Sequence, residues 1–410
     1  MTLSEELKWR GFVHQTTYKD ITAIDASPIT FYWGVDPSSD SMTIGNLVIA
    51  VMIRHFLSHG HKAVLLVGGA TGLIGDPDGK VDERKLISPK KIKQNKARII
   101  AQYNHLFSGL RFEVVDNYDW FRNFGYLAFL RDIGKFVPMR QMLSREFIKK
   151  RLSENGAGIS YAEFSYVLIQ GYDFLHLFRD KGVSLQVCGV DQWGNSIAGV
   201  ELIRRIEGAE ANVWSAPLVV NNVTGTKFGK SESSAVWLDE NKTSVYQFYQ
   251  FWLNVDDESA ESFLKLYTLL DKLDLIKLID EFKQNRSERL AQKVLAYEVT
   301  KFVHGIKKAD AARKTTEALF GNGHFDQLSR ADKAILKGEL PTIKAAKSES
   351  LPALLVKASL ANSYSDANRL ITQGAVRLNG QEVTSNKPIK LRKGSNLIQR
   401  GKNNFAIIDH

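Results

Sequence analysis

Short apolar runs alternate with helical patterns through the first half of this chain, and that alternation strongly limits its possible folds. Buried strands are predicted by the apolar runs at 63–67, 112–115 and 185–187. Helical spacing of apolar residues is found at 45–57, 89–107 and 197–206. Because strands that alternate with helices form a parallel sheet covered on both faces, we predict an α/β fold. Ligands of such sheets bind beyond the carboxyl ends of the strands.

The second half of the chain has a different pattern. Residues 243–340 show apolar spacings of three and four without strand signals, which predicts an all-α region. Residues 345–410 combine two short helical runs with Asn379-Gly380 between alternating apolar residues, a strong hairpin signal. We therefore expect a small α+β module at this end.

Composition and charge exclude several classes of protein. Of 410 residues, 44% are hydrophobic and 24% are charged, which excludes a disordered chain. A single cysteine, Cys188, excludes a disulfide framework and a thiolate zinc site, and no histidine spacing indicates a metal. The net charge is +10, and residues 341–410 hold eleven basic against four acidic residues. This basic end indicates a polyanionic partner or a solubilising surface.

The N-terminal residues 1–10 are polar and charged, with no signal or transit peptide. No run of about 18 apolar residues is present, so we expect no membrane span. A cytoplasmic enzyme is therefore the default expectation.

Two motifs follow predicted strands near the N-terminus. Residues 31–47 read as strand, loop and helix start, which places Thr43 where free backbone N–H groups attract phosphate and lets a flat ligand approach Gly45. The glycine-rich run 68–80 lacks the spacing of a dinucleotide fingerprint or a P-loop. Asp76 in that run is placed to meet an ammonium group, while Lys80 and Arg84 are placed to reach phosphates.

Three more motifs carry polar side chains into apolar or flexible surroundings. Tyr166, Gln170 and Asp173 share one face of a predicted helix, and their apolar neighbours favour burial against a polar ligand. A strand then ends in 189–194, Gly-Val-Asp-Gln-Trp-Gly, which suits a ribose and a polar head group. Finally, two lysines in 224–234 form either a cationic clamp or an exposed linker.

In this order and spacing, the five motifs resemble the bacterial-type tyrosyl-tRNA synthetases, a family of class I aminoacyl-tRNA synthetases. Residues 37–46 resemble the HIGH region, and 227–231, Lys-Phe-Gly-Lys-Ser, resemble the KMSKS loop. Residues 350–390 resemble an S4-like RNA-binding module. The resemblance implies a Rossmann-like catalytic domain over 1–222, a KFGKS loop and linker over 223–242, a helical anticodon-binding domain over 243–345 and an S4-like domain over 346–410.

The resemblance also implies a tyrosine–tRNA ligase with a two-step reaction. ATP, with Mg²⁺ as its substrate complex, and L-tyrosine give tyrosyl-adenylate and pyrophosphate, and tyrosine then passes to the 3′ end of tRNA(Tyr). No protein-bound metal is expected. The family further implies a homodimer, with an interface within 116–151 where Trp120, Phe121, Phe136 and Met139 form an apolar patch. An ordinary core is the alternative for those four residues.

The family roles carry over to matching positions. The residues implied for tyrosine are Tyr32, Asp76, Tyr166, Gln170, Asp173 and Gln192. Those implied for ATP and its ribose are Asp36, Gly45, Gly189, Asp191, Lys230 and Ser231. Those implied for catalysis around the pyrophosphate are Ser38, Thr43, Asn46, Lys80, Arg84, Lys227 and Lys230.

One departure keeps alternatives open. Thr43 stands where tyrosyl enzymes usually have histidine, and Thr-Ile-Gly-Asn is the form in the related tryptophanyl enzymes. A tryptophanyl enzyme and a catalytically weak RNA-binding paralogue are therefore both alternatives. Tyr32, Asp173 and the S4-like end argue against the first, and the retained lysines argue against the second. A nucleotide-binding oxidoreductase is set aside because the Gly-x-Gly-x-x-Gly turn is missing.

Overall fold

A computed structural model describes residues 1–77, 86–143, 146–153, 156–218, 235–321, 324–346, 349–384 and 391–410. The described residues fall into two compact units. The first comprises Met1–Thr243 and Asn254–Leu295, and the second comprises Ser244–Leu253 and Ala296–His410. The predicted domain boundaries stay a prediction, since one compact unit can hold more than one domain.

The first unit is built on a six-stranded sheet. Its strands in chain order are β1 (Gln15–Thr16), β2 (Thr30–Val35), β3 (Lys62–Val67), β4 (Phe112–Asp116), β5 (Val183–Gly189) and β6 (Asn212–Ala216). Their order across the sheet is β1-β6-β5-β2-β3-β4. All neighbours pair in parallel except β1, which is antiparallel to β6. The predicted α/β fold with a parallel sheet is confirmed.

Helices connect and cover these strands. Up to residue 207 they are α1 (Leu3–Arg10), α2 (Ile44–Ser58), α3 (Thr71–Ile74), α4 (Pro89–Leu106), α5 (Tyr118–Phe121), α6 (Tyr126–Asp132), α7 (Met139–Leu143), α8 (Glu146–Arg151), α9 (Tyr161–Lys181) and α10 (Trp193–Glu207). Beyond residue 244 they continue as α11 (Val245–Leu253), α12 (Asp257–Tyr267), α13 (Lys272–Gln284) and α14 (Leu290–His304). Short 3₁₀ turns lie at Ile21–Asp25, Gly134–Phe136, Val190–Gln192, Arg286–Glu288 and Phe325–Gln327.

The central strand β2 sends alternate side chains to opposite faces of the sheet, so both faces carry core. Tyr32 lies against Phe174 of α9, with ring centroids 5.2 Å apart. Trp33 lies on the other face, 5.4 Å from the ring of Tyr103 in α4. On the first face, α9 and α10 pack closely through a glycine, since a Cβ on Gly199 would lie only 2.8 Å from the Cβ of Phe174.

The second unit contains further helices and a five-stranded sheet. Its elements after α14 are α15 (Ile306–Phe320), α16 (Arg330–Glu339), β7 (Thr342–Lys344), α17 (Leu351–Lys357), α18 (Tyr364–Thr372), β8 (Val376–Leu378), β9 (Gln381–Glu382), β10 (Ser395–Arg400) and β11 (Asn404–Asp409). The sheet order is β7-β11-β10-β8-β9. Asn379 and Gly380 both have positive φ, 49° and 83°, so the predicted hairpin is confirmed with the turn geometry its sequence favours.

The predicted apolar patch within 116–151 differs from the structure in its membership. Trp120, Phe121 and Phe136 are half-buried against the core, whereas Met139 is 57% exposed. Tyr126 and Leu127 of α6 are also exposed, by 61% and 80%. Large rings at the first three positions fill the space between α9 and the loops after β4, so α6 and α7 carry the exposed apolar surface instead. Among the described helices, none is long and apolar enough to cross a membrane.

Candidate active site

The predicted site residues gather where the parallel strands end. Asp36 directly follows β2, Gly68 directly follows β3, and Gly189 is the last residue of β5. Because neighbouring parallel strands end at the same edge of a sheet, these positions border one cleft. Gly34, although inside the central strand β2, is exposed, which marks an opening at this edge.

Helix α9 supplies one wall of the cleft. Its N-cap Ser160 accepts a hydrogen bond from the backbone of Glu163, and Gly182 ends the helix with φ 63°. Tyr166 and Asp173 are buried, as the predicted polar stripe requires. Gln170 lies between them, and its buried Oε1 has no hydrogen-bond partner within the described residues. An unpartnered buried oxygen of this kind is a position where a ligand N–H group is stabilising.

Asp173 is held by two N–H donors that the sequence analysis missed. Asn117 Nδ2 donates to Asp173 Oδ2 at 3.0 Å, and Trp120 Nε1 donates to Oδ1 at 2.9 Å. Burial raises the pKa of Asp173 well above its usual range, and the two donors oppose that rise. These two hydrogen bonds hold the carboxyl group in place, and each of its oxygens keeps a further lone pair that can accept a hydrogen bond.

Tyr32 brings a second polar group to the same region. Its side chain is 1% exposed, and its hydroxyl has no hydrogen-bond partner among the residues that the structure describes. Burial raises the pKa of Tyr32, and the charge of Asp173 raises it further. Leaving such a hydroxyl unpaired costs about 1–3 kcal/mol, which a polar group of a ligand would recover.

Asp36 links α9 to the strand ends. Tyr166 Oη donates to Asp36 Oδ2 at 2.7 Å, and Thr71 Oγ1 donates to Oδ1 at 2.5 Å. Asn117 Nδ2 also donates to Thr71 Oγ1 at 3.0 Å, so one network joins Tyr166, Asp36 and Asp173. A Cβ at Gly68 would overlap both Asp36 Oδ1 and Thr71 Oγ1, so this network requires glycine there.

Asp76 and Gln192 lie together on another side of the cleft. Gln192 Nε2 donates to Asp76 Oδ2 at 2.7 Å, and Asn195 Nδ2 donates to Gln192 Oε1 at 3.2 Å. The 3₁₀ turn after β5 carries Gln192 and Asp191. The pair offers a carboxylate for an ammonium group beside an amide for a carboxylate, which matches the two charged groups of an amino acid.

The HIGH region forms the N-terminus of α2. Thr43 is the N-cap residue, as predicted, and Asn46 Oδ1 accepts from both the Thr43 backbone N–H at 3.0 Å and the Thr43 hydroxyl at 3.3 Å. Ser38 is exposed, and Gly45 is half-exposed in the first turn of α2. The backbone N–H of Ile44 donates to the Val236 carbonyl at 3.1 Å, so it is the positive end of the α2 dipole that gives the cleft an end favouring phosphate.

Gly189, at the end of β5, leaves room for the side chain of Asp191. A Cβ atom added at Gly189 would lie only 2.6 Å from Asp191 Oδ1. Other predicted site residues lie outside the described residues: Lys80, Arg84, Lys227, Lys230 and Ser231. Within the part of the chain that is described, no group of three or more His, Cys, Asp or Glu side chains forms a candidate metal site.

The fold and the site define an α/β protein with buried polar groups gathered at the carboxyl ends of its parallel strands, and comparisons with known proteins narrow this class. Residues 25–321 match the family model of class I tRNA synthetases (W and Y). Residues 333–408 match that of the tyrosine–tRNA ligase SYY-like C-terminal domain.

Curated relatives and solved structures agree. A tyrosine–tRNA ligase of Bacteroides fragilis is 40% identical, with 100% of this chain and 99% of the relative covered. One of Streptococcus mutans is 42% identical over 100% of both chains. The mitochondrial tyrosyl-tRNA synthetase of Aspergillus nidulans matches with a TM-score of 0.70 and 29% identity, covering 78% of this chain and 94% of that one. The chain therefore belongs to the tyrosine–tRNA ligase family, as the sequence motifs predict, and the tryptophanyl alternative is excluded.

Proposed function

We propose that the chain activates L-tyrosine with ATP, giving tyrosyl-adenylate and pyrophosphate, and then transfers tyrosine to the 3′ end of tRNA(Tyr). The observation that carries this proposal is a buried Tyr32 hydroxyl without a hydrogen-bond partner among the described residues, together with an Asp173 carboxyl held by two N–H donors. Such a pair suits a phenolic hydroxyl, which both donates and accepts.

Each end of the substrate amino acid has a partner in this proposal. Tyr32 and Asp173 bind the phenolic hydroxyl at the bottom of the pocket. Asp76, Tyr166 and Gln170 bind the ammonium group, and Gln192 lies near the carboxylate. Gln170 supports this assignment because its buried Oε1 lacks a partner within the described part of the chain.

The reaction needs positioning and charge stabilisation rather than a covalent intermediate on the protein. A tyrosine carboxylate oxygen forms a bond to the α-phosphorus of ATP, and the bond from that phosphorus to the bridging oxygen breaks, so that pyrophosphate leaves with the electron pair. Gly189, Asp191 and Asp36 bind the ribose side of ATP, and Gly45 lets the nucleotide lie against α2. ATP enters with Mg²⁺ as its substrate complex.

The departing pyrophosphate is assigned to the end of the cleft at α2. Hydroxyl and amide groups of Ser38, Thr43 and Asn46 stand there, at the positive end of the helix dipole. The cationic and loop residues assigned to the same charge are Lys80, Arg84, Lys227, Lys230 and Ser231. Because charge builds on the phosphates as the bond breaks, these contacts strengthen in the transition state.

Discrimination against phenylalanine follows from burial. Phenylalanine leaves the Tyr32 hydroxyl and Asp173 without the partner that tyrosine supplies, and unpaired buried polar groups are costly. The test is ATP–pyrophosphate exchange with tyrosine, phenylalanine and tryptophan in parallel. Strong exchange is expected with tyrosine alone, and phenylalanine should give only weak exchange, measurable at high concentration. Exchange with tryptophan would overturn the roles of Tyr32 and Asp173, and tRNA binding without any exchange would favour an RNA-binding paralogue.

The second unit is assigned to tRNA. Its residues 341–410 are strongly basic, and Arg377 on β8 is exposed. Contacts of basic side chains with phosphates make affinity fall steeply with salt. Arg377→Glu should weaken tRNA(Tyr) binding and flatten its salt dependence while ATP–pyrophosphate exchange stays unchanged. Equal binding by the variant would contradict this surface. The cytoplasm is the location we assign to this reaction.

A homodimer is the assembly that we assign to the chain. The support is the apolar surface of α6 and α7, where Leu127 and Met139 are largely exposed. Combining Leu127→Glu with Met139→Glu should convert a dimer into monomers in sedimentation velocity. Leu273→Glu is the matched control, because Leu273 is 72% exposed on α13. A monomeric unmodified chain would overturn the assignment.

A further inference from the structure

We infer that His176 is a positioning residue for tyrosine specificity, which acts by holding the Trp120 indole in the plane that directs its N–H to Asp173. This inference rests on the proposed function, because it takes Asp173 as the partner of the phenolic hydroxyl. His176 is outside every motif that the sequence analysis identified.

The geometry joins three side chains in a row. His176 and Trp120 are stacked, with ring centroids 4.4 Å apart and planes 27° from parallel. Trp120 Nε1 in turn donates to Asp173 Oδ1 at 2.9 Å. His176 follows Asp173 by three residues on α9, so one helix carries both the acceptor and the ring that holds the donor.

Stacking matters here because the indole N–H lies in the plane of its ring. A neighbouring ring stacked nearly parallel fixes that plane, and therefore fixes the direction of the N–H bond. Hydrogen bonds prefer donor angles above about 150° and weaken steeply below about 120°. A tilt of the indole would thus weaken the bond to Asp173 even if the ring stayed nearby.

The surroundings of Trp120 leave room for such a tilt. The indole and His176 line an open hollow, together with Val67, Val114 and Asp116. The lysines that border this hollow have other partners, since Lys96 pairs with Asp116 and Lys181 pairs with Glu113 at 2.9 Å. Tyr172 lies near His176 with ring centroids 6.0 Å apart. Trp120, at 4.4 Å, is therefore the nearer of the two rings to His176.

The effect should be confined to substrates with a hydroxyl. If the indole tilts, Asp173 is less well fixed and the phenolic hydroxyl of tyrosine loses part of its partner. Phenylalanine has no such hydroxyl, so its use should not change. A merely structural role for His176 would lower the use of both amino acids together.

Three substitutions of His176 separate the effect of a planar stacked ring from the effect of side-chain volume. His176→Leu keeps the volume without a planar ring, His176→Ala removes both, and His176→Phe keeps the plane. We expect the tyrosine-to-phenylalanine ratio of kcat/KM in ATP–pyrophosphate exchange to fall roughly three- to tenfold for Leu and Ala, less than for full loss of a hydrogen bond to a charged group. His176→Phe should stay within about twofold of the unmodified chain, as should the exposed control His14→Ala.

A double-variant cycle with Trp120→Phe tests whether His176 acts through the hydrogen bond from Trp120 to Asp173. That substitution keeps an aromatic ring but removes the N–H, so the ratio should fall by about ten- to a hundredfold. Adding His176→Leu should then change nothing further, because the bond that His176 supports is already gone.

Several results would overturn the inference. These are an unchanged ratio in His176→Leu, an equal loss in His176→Phe, and additive effects in the double variant. Failure of the proposed function has a different signature, which is absence of tyrosine exchange in the unmodified chain. Thermal melts of each variant report whether folding itself has changed.

Discussion

The two sides of the cleft are built in different ways. On the tyrosine side, Tyr166, Asp36 and Asp173 belong to one hydrogen-bond network that Thr71 and Asn117 complete, so four chain segments contribute to it. On the phosphate side, the described groups stand nearer to water, since Ser38 is exposed and Thr43 is half-exposed, with its hydroxyl donating to Asn46 three residues away. The first arrangement fixes individual atoms, whereas the second offers donors to a highly charged ligand.

This contrast predicts which substitutions should reduce activity most. Buried polar networks lose much when one member changes, because the remaining groups keep their desolvation without their partners. Groups near water are partly compensated by solvent. We therefore expect substitutions on the tyrosine side to act strongly on tyrosine use, and those on the phosphate side to act more weakly and on ATP.

Asp173→Asn should have the largest effect. The amide places an NH₂ group against one of the N–H donors of Asn117 or Trp120, and it removes the charge that both donors stabilise. Loss of one of these hydrogen bonds, of the charge, and of a charged partner for the phenolic hydroxyl together predict a fall of about a thousandfold in kcat/KM for tyrosine. ATP–pyrophosphate exchange measures this, with circular dichroism to confirm folding.

Asp180→Asn is the matched control for that substitution. It lies on the same helix, is exposed and pairs with neighbouring Lys181 at 3.5 Å. It should leave exchange within about twofold, as most exposed substitutions do. If Asp173→Asn raised the KM for ATP as much as that for tyrosine, the two sides of the cleft would not be separable.

Gly68→Ala should follow in size. The added methyl group overlaps the carboxylate of Asp36 and the hydroxyl of Thr71, so the network has to shift. We expect the KM for tyrosine to rise about tenfold or more and the Tm to fall by several degrees, as for other substitutions that break a buried network. Gly338→Ala is the control, because its Cβ meets no atom within 4 Å. A variant with unchanged KM would show that Asp36 tolerates displacement.

The tyrosine side also shows how far sequence reasoning reaches. Tyr166, Gln170 and Asp173 were predictable because one helix places them on one face, and periodicity within a helix is visible in the sequence. Asn117 and Trp120 were not, since they lie 56 and 53 residues from Asp173. Asn117 does follow the carboxyl end of β4, so the rule that places ligands at that edge was the available signal.

The same distinction holds for the fold. The turn at Asn379-Gly380 was predictable because its residues favour positive φ locally. Strand β1 was not, because two residues show no period and its partner β6 lies about 200 residues away, as in the bond from the Gln15 backbone to Ser215 Oγ. Trp120 and Phe136, which were expected in an exposed apolar patch, are half-buried against the core, and packing of rings against a core leaves no local sign in the sequence.

A change of pH should act through the tyrosine side. Burial raises the pKa of Asp173, so its ionised form is lost at a higher pH than for an ordinary aspartate. Use of tyrosine, which needs the ionised acceptor, should therefore fall as the pH decreases through that raised pKa. Trp120→Phe removes a donor that favours the ionised form, so the acid limb of kcat/KM should move to higher pH.

Trp9→Phe controls for loss of an indole elsewhere in the unit and should leave the acid limb in place. If the acid limb of kcat/KM stayed at the same pH in Trp120→Phe, a group other than Asp173, such as Asp76 or Asp36, would govern the pH dependence. A limb that moves to lower pH would contradict the sign of the donor effect.

Thr43→Ala should have the smallest effect of the set. Within the described part of the chain the hydroxyl donates to Asn46 alone, at 3.3 Å, and the substitution keeps the hydrogen bond from the Thr43 backbone N–H to Asn46 at the start of α2. We expect kcat for adenylate formation to fall about three- to tenfold, with the KM for tyrosine unchanged, because one donor near water is lost from the phosphate side. Pre-steady-state adenylate formation measures this directly. A larger loss, equal to that of Asp173→Asn, would show that the phosphate side is as finely fixed as the tyrosine side, because a single hydroxyl would then carry as much of the transition state as a buried network.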